Sequence, residues 1–366
     1  MIDALWSFRK LTSPNYPVIG PQSAASPVNL PIELKNFLQT ETISRLLIRF
    51  VGNIVIAGAG PGVATGRDNP EAILVNTIFK GTPSLGVNFV NNVSERGLRN
   101  LTAFDRGYNI KATAVADAAG TTPIDFTITL NFKMPGSVNP IEYALPSAVF
   151  SSLLLTLNLG GREQLFAGGT NTWDLTSVQV QIFADLDNGV AGKFHVLELY
   201  ERLFQVTGSS SDFPFLNLEP GYVYTHFLIR AEQNLNLVQT ILNEVSIRSA
   251  GREWMPKGDN NALEIQRWNR ETHLSDPNFV QTGLYFIPAL RDGMYTRAID
   301  CSDTRLDMRS NVSFTGGTDQ DFVIVTGRRI VPLGIDASAA ATSGIAPNTS
   351  GSAAQATGAG ATSAGR

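Results

Sequence analysis

What most constrains this chain is a two-residue rhythm that recurs from about residue 42 to residue 330 and keeps breaking on Gly, Asn and Pro. Phe126, Ile128, Leu130 and Phe132 alternate with Asp125, Thr127, Thr129 and Asn131. Val178, Val180 and Ile182 alternate with Gln179 and Gln181, and Leu306 with Met308, then Val312 with Phe314, follow the same rule. Successive side chains of a strand point to opposite faces, so this is the pattern of half-buried strands. The unbroken apolar runs Ile43–Ile56 and Ser151–Leu159 predict strands covered on both faces. Joints at Gly81–Pro83, Gly160–Gly161, Gly168–Gly169 and Gly316–Gly317 supply the turns. Many short strands without regularly interposed helices exclude a parallel α/β sheet and predict an all-β sandwich or barrel.

Helical spacing occurs in three places. Ile2, Leu5 and Trp6 fall at i, i+3 and i+4, with Asp3 near the start and Arg9 and Lys10 near the end, which predicts a short helix over residues 1–12. His195–Val206 and Ala262–Thr272 are the interior candidates. Pro14, Pro17, Pro21, Pro27 and Pro31 forbid helix between residues 13 and 31 and predict an extended arm. Residues 337–366 are almost wholly Ala, Ser, Thr and Gly, too poor in apolar surface to offset the entropy of ordering, so a flexible tail is predicted. Arg45-Leu46-Leu47-Ile48-Arg49 echoes His226-Phe227-Leu228-Ile229-Arg230, which suggests two β domains in tandem, joined near Gly189–Lys193. The expected organisation is a helix and arm over 1–31, β domains over 32–192 and 193–335, and a tail over 336–366.

Charged residues make up 16% of the chain, against roughly 25% in soluble proteins at large. So little charge implies that much of the surface meets protein rather than water. The net charge of −4 argues against binding nucleic acid through its phosphates. A lone Cys301 excludes an internal disulfide framework and fits an intracellular product. The first residues lack the pattern of a secretory signal, and no apolar run reaches membrane-spanning length, so a soluble protein is expected, touching a membrane surface at most.

Motifs for chemistry fail on inspection. Gly58-Ala59-Gly60-Pro61-Gly62 resembles a dinucleotide turn, but Val63 stands where the fingerprint needs Gly or Ala, so a glycine-rich loop between strands is expected. Asp185-Leu186-Asp187-Asn188-Gly189 lacks the Glu of a calcium loop and reads as a turn. His195, His226 and His273 are too dispersed for a closely spaced metal motif. Neither a serine-hydrolase elbow nor a P-loop is present. No catalytic, cofactor-binding or metal-binding residue is expected, and an enzyme is not the expected reading. A carbohydrate-binding β-sandwich, either a viral spike or a lectin, is the alternative, with Trp173, Trp254 and Trp268 as candidate platforms.

Several segments, in order, resemble the major capsid proteins of tectivirus-type phages, the double jelly-roll lineage. They are Ile43–Ile56, Ala72–Phe79, Phe126–Pro135 with the following stretch from Tyr143 to Leu159, Ser177–Ala184 leading into His195–Val206, then Gly283–Ile287 and Phe322–Val331. The resemblance implies two tandem eight-stranded jelly rolls, preceded by the helix and arm. It implies a homotrimer, pseudo-hexagonal in outline, tiling the icosahedral shell of a virus, one with an internal membrane, and assembled in the host cytoplasm. Other capsid proteins, at the vertices or in minor positions, would be further partners, with no direct contact to nucleic acid. It also places the N-terminus, with Ile2, Leu5, Trp6, Phe8, Arg9 and Lys10, against a neighbouring capsomer or the membrane surface. The Ala/Ser/Gly tail matches no feature of that family.

Overall fold

The structure is a computed structural model. It describes residues 6–331 apart from 12–15, 18–27, 35–40, 58–64, 67–69, 83–87, 107–118, 133–142, 147–148, 162–163, 168–171, 175–177, 189–195, 250–251, 256–260, 273–281, 290–298, 302–304 and 317–320. Sixteen principal strands and two helices repeat one plan twice. The first half holds β1 (Trp6–Lys10), β2 (Val28–Leu34), β3 (Glu41–Ala57), β4 (Leu74–Thr82), β5 (Asn88–Val93), α1 (Glu95–Arg106), β6 (Gly120–Asn131), β7 (Ser152–Leu159) and β8 (Gln179–Asn188). The second holds β9 (Val196–Val206), β10 (Ser210–Leu218), β11 (Val223–Gln233), β12 (Leu242–Ser249), β13 (Arg252–Met255), α2 (Asn261–Thr272), β14 (Leu284–Pro288), β15 (Leu306–Val312) and β16 (Asp321–Val331).

The first roll stacks a sheet of order β1-β8-β3-β6 on a sheet of order β2-β7-β4-β5. The second stacks β9-β16-β11-β14 on β10-β15-β12-β13. Adding eight to each strand of the first roll gives the second, and both are the expected eight-stranded jelly rolls. Each helix follows the fifth strand and packs on the fourth and sixth of its own roll: α1 on β4 and β6, α2 on β12 and β14. The echoed pentapeptides occupy corresponding strands, β3 and β11, and keep the same facing. Leu46 and Ile48 enter the first core, Phe227 and Ile229 the second.

Four of the outer strands carry proline: Pro31 in β2, Pro123 in β6, Pro214 in β10 and Pro288 in β14. No inner strand of the sixteen does, as expected for a residue that cannot donate to a ladder. The strand β2 begins at Val28, so the end of the proline-rich stretch is itself a sheet edge, paired with β7.

Two predicted helices are strands. Trp6–Lys10 pairs antiparallel with β8, Trp6 opposite Asp187 and Lys10 opposite Phe183. Residues 196–206 pair with β16 throughout, from Val196 opposite Val331 to Val206 opposite Asp321. Both are the first strand of their roll. In β9 the five residues Val196–Tyr200 are all buried, because both faces are covered, so alternation vanishes and the remaining apolar spacing imitates a helix. In β1 five residues are too few for either period to declare itself, and the ladder with β8 decides. The expected turn at Asp185–Asn188 is also strand, paired with β3, where Arg45 and Ser44 donate to Asp185 and Asp187 inside the sheet. The helix over 262–272 is borne out as α2. Ile2, Leu5, the Gly58–Gly62 loop, the domain join and the tail lie outside the described residues.

Candidate functional site: the seam between the two rolls

The most elaborate arrangement of polar side chains among the described residues lies where the rolls meet. There β5 and β9 run parallel, Val90 beside Leu199 and Asn91 beside Tyr200, so one ten-stranded sheet crosses from roll to roll. Parallel neighbours need a long connection rather than a hairpin, and the chain between β5 and β9 holds α1 and the last three strands of the first roll.

Helix α1 seals this seam. Its N-cap is Ser94, whose Oγ accepts a hydrogen bond from Gly97 N at 3.2 Å. A capping box would place Glu at the position of Gly97, reaching back to the amide of the cap residue. Here the carboxylate comes from the other roll. Glu201 of β9 accepts from Ser94 N at 3.3 Å and from Ser94 Oγ at 3.0 Å. Glycine is what makes room, for a Cβ at Gly97 would collide with Glu201 Oε2 and stand 3.0 Å from Thr326 Oγ1. The carboxylate also lies at the positive end of the helix dipole.

Arg230 of β11 compensates this charge. Its Nη2 donates to Glu201 Oε1 at 3.0 Å and to Ser94 Oγ at 3.2 Å, and its Nη1 stands 3.3 Å from Glu232 Oε1. Thr326 of β16 donates to Glu201 Oε2 at 3.2 Å. A second pair flanks the first: Arg329 Nε donates to Glu198 Oε2 at 2.7 Å, and its guanidinium lies 3.8 Å from the Tyr222 ring centroid. Burial disfavours the Arg329 charge, but Glu198 outweighs it and raises the pKa above an ordinary arginine's.

Farther along α1 the seam is apolar. Phe104 stacks on Phe286 of β14, centroids 4.8 Å apart, and Phe286 lies 5.5 Å from the His226 ring. Leu199, Leu228, Leu284 and Phe286 of the second half belong to the same apolar cluster as the first roll's core. His226 is buried, and burial, reinforced by Arg328, holds its imidazole well below the usual histidine range. Such an arrangement fixes one roll against the other.

None of Trp6, Phe8, Arg9 and Lys10 lies in this seam; they lie in β1, at the far edge of the first roll's other sheet. The seam residues escaped sequence reading because Glu201 and Arg230 look like ordinary strand charges. A signal for α1 was present in Ser94 preceding Glu95, with Leu98, Leu101 and Phe104 at three-residue steps. Trp173 lies in the first roll, paired with Ile56, while Trp254 and Trp268 lie in β13 and α2 of the second. These positions make no common platform, and the carbohydrate-binding reading is not supported. Among the described residues no cluster of His, Cys, Asp and Glu suits a metal ion, and no helix is long and apolar enough to cross a membrane.

No family model and no curated protein matches the chain. Solved structures do. The STIV major capsid protein aligns over 89% of this chain and 97% of its own, at 13% identity and a TM-score of 0.61. A chain from the atomic structure of Sulfolobus Turreted Icosahedral Virus aligns over 93% and 96%, at 13% identity and a TM-score of 0.65. The major capsid protein P2 of bacteriophage PM2 aligns over 90% and 99%, at 13% identity and a TM-score of 0.56. At such identities the likeness is one of fold, and it extends over both rolls: the chain has the double jelly-roll fold of viral major capsid proteins.

Proposed function

We propose that this chain is a major capsid protein, building the icosahedral shell of a virus by self-association as a trimer. The observation that carries the reading is the pair of rolls with one strand order, locked by a buried seam into a single building block. Three such blocks present six similar lobes, an outline suited to tiling. Capsid proteins of the same fold support the assignment, and the shortage of charge fits a surface spent on contacts with other copies. The role is structural rather than enzymatic, its place is the virion, and minor or vertex proteins are its further partners. Light scattering of the purified protein should report the mass of three chains, and electron micrographs of native particles should show them coated with it. A monodisperse single chain at micromolar concentration would overturn the reading.

The N-terminus belongs to the same proposal. Trp6, Phe8, Arg9 and Lys10 combine apolar and basic character, which suits a neighbouring copy or the surface of an internal membrane. Flotation with anionic vesicles separates the two. Binding that is lost in a Trp6→Ala, Arg9→Ala, Lys10→Ala variant favours lipid, and absence of binding leaves the protein contact. Infected-cell microscopy tests the expected cytoplasmic assembly.

A further inference from the structure

Three connections meet at one end of the second roll: residues 207–209 between β9 and β10, 234–241 between β11 and β12, and 313–320 between β15 and β16. Register places them together, for Val206 and Gln233 both pair with Asp321, while Ser210 and Leu242 both pair with Val312. The three hold a single charged residue, Asp319. The matching connections of the first roll between β3 and β4 and between β7 and β8 hold Arg67, Asp68, Glu71, Arg162, Glu163 and Asp174.

This crown has a rigid base. Gln233 Nε2 donates to Thr315 Oγ1 at 2.7 Å, Phe314 N to Ser209 Oγ at 3.0 Å, and Ser313 N to Ile241 O at 2.8 Å. Asp321 is fully buried beneath it, its carboxylate accepting from Thr315 N at 2.7 Å. Apolar side chains stand on this base in water. Phe314 is 39% exposed and Leu237 36%, and Leu235 is partly exposed. Leu235 and Asn234 form a two-residue turn between the paired Gln233 and Asn236, both with positive φ, 63° and 46°. Glycine and asparagine adopt that conformation readily, whereas leucine, which has no polar group to bond the turn, is strained there. Such strain points to a side chain kept for a contact outside the fold.

We propose that this crown is a lipid-contacting surface, which inserts Leu235, Leu237 and Phe314 into the headgroup–acyl boundary of a zwitterionic bilayer. The assignment does not rest on the assembly reading, and it concerns a different part of the chain from the N-terminus.

Charge selects the occupant. A bilayer excludes charged groups above all, and their near absence lets the three connections sink together to the boundary. The Ser, Thr, Asn and Gln side chains around the apolar tips can keep hydrogen bonds to headgroups and water at that depth. A protein partner is met by a polar rim and steered by complementary charge, which the crown hardly offers. The contact also differs in kind from that of a basic segment on an anionic surface. It owes nothing to Arg or Lys, so salt leaves it intact.

Flotation of the full chain with vesicles of phosphatidylcholine alone tests this. The parent should float with them equally at low and high salt. A Leu237→Asp, Phe314→Asp double variant should bind roughly fivefold less or weaker still, since binding scales with the apolar area inserted. Leu235→Gly is the sharper variant. Its melting temperature should equal or exceed the parent's, because strain is relieved, while its binding falls. Leu263→Asp, at an exposed apolar position on α2, and the Trp6→Ala, Arg9→Ala, Lys10→Ala variant should both bind as the parent does. Flotation only with anionic vesicles, or only at low salt, would assign lipid contact to the N-terminus and overturn the crown. Crown variants that bind like the parent overturn it too. A parent that does not float with phosphatidylcholine overturns the lipid assignment and leaves the crown to a protein partner.

Discussion

Ser94, Gly97 and Glu201 divide between two rolls a helix cap that is ordinarily built within one turn of one helix. The division makes each of them sensitive. Arg230→Leu would leave Glu201 and buried Glu232 facing each other without their cation. Stranding a buried charge in this way costs about 3–5 kcal/mol, to be read from denaturant unfolding. Gly97→Ala forces the Glu201 carboxylate aside and should cost roughly 1–3 kcal/mol, the usual penalty of overpacking. A variant as stable as the parent would mean that the cap opens freely. His226 adds a pH dependence. The folded protein keeps it neutral, because burial lowers its pKa, while the unfolded chain binds a proton as the pH falls through about 6.5. Stability from this group is therefore complete above that value and declines below it. Melting temperatures between about pH 7 and pH 5 should fall more steeply for the parent than for His226→Gln; equal slopes would assign the acid sensitivity to other groups.

At the scale of elements, β1 is part of the first roll, so the consequence of removing it differs from that of trimming a free arm. Its ladder covers the edge of β8, whose Ile182, Ala184 and Leu186 are fully buried, and Leu11 just beyond it is buried as well, its amide donating to Ile182 O at 2.8 Å. Deleting residues 1–12 should lower the melting temperature markedly, and Leu11→Ala alone should cost about 2–5 kcal/mol. An unchanged melting curve would show that the first roll closes without β1. The same strand illustrates what was legible in the sequence. Strands with one wet face, such as β6 with Phe126, Ile128 and Leu130 turned in, announce themselves by alternation. Strands that begin a roll do not: β9 is covered on both faces and β1 is short, so each takes its conformation from a partner more than 110 residues away. The seam was illegible for a related reason. Glu201 and Arg230 acquire their roles only when α1, β9 and β11 converge, and no local spacing records that.

At the scale of the molecule, the two rolls repeat one plan without being independent units. The outer face of β11 and β14 is apolar at Leu228, Leu284 and Phe286, and it is covered by α1 and the first roll's core. The strand β11 is buried at nine successive positions from Tyr224 to Glu232, as a central strand must be when both its faces are covered. A second half produced alone would expose this face together with Arg230 and His226, a large patch of the kind that drives aggregation. Residues 193–335 expressed by themselves should therefore be insoluble or bind hydrophobic dyes strongly, and co-expression with residues 1–192 should rescue them as a complex. By the same reasoning the intact chain should unfold in one calorimetric transition, because the seam must open before either roll can melt. Two resolved transitions, or a soluble and cooperatively folded second half, would show that the seam is a docking contact between finished domains. A single transition that divides in two only in Arg230→Leu would identify the split cap as the element that couples them.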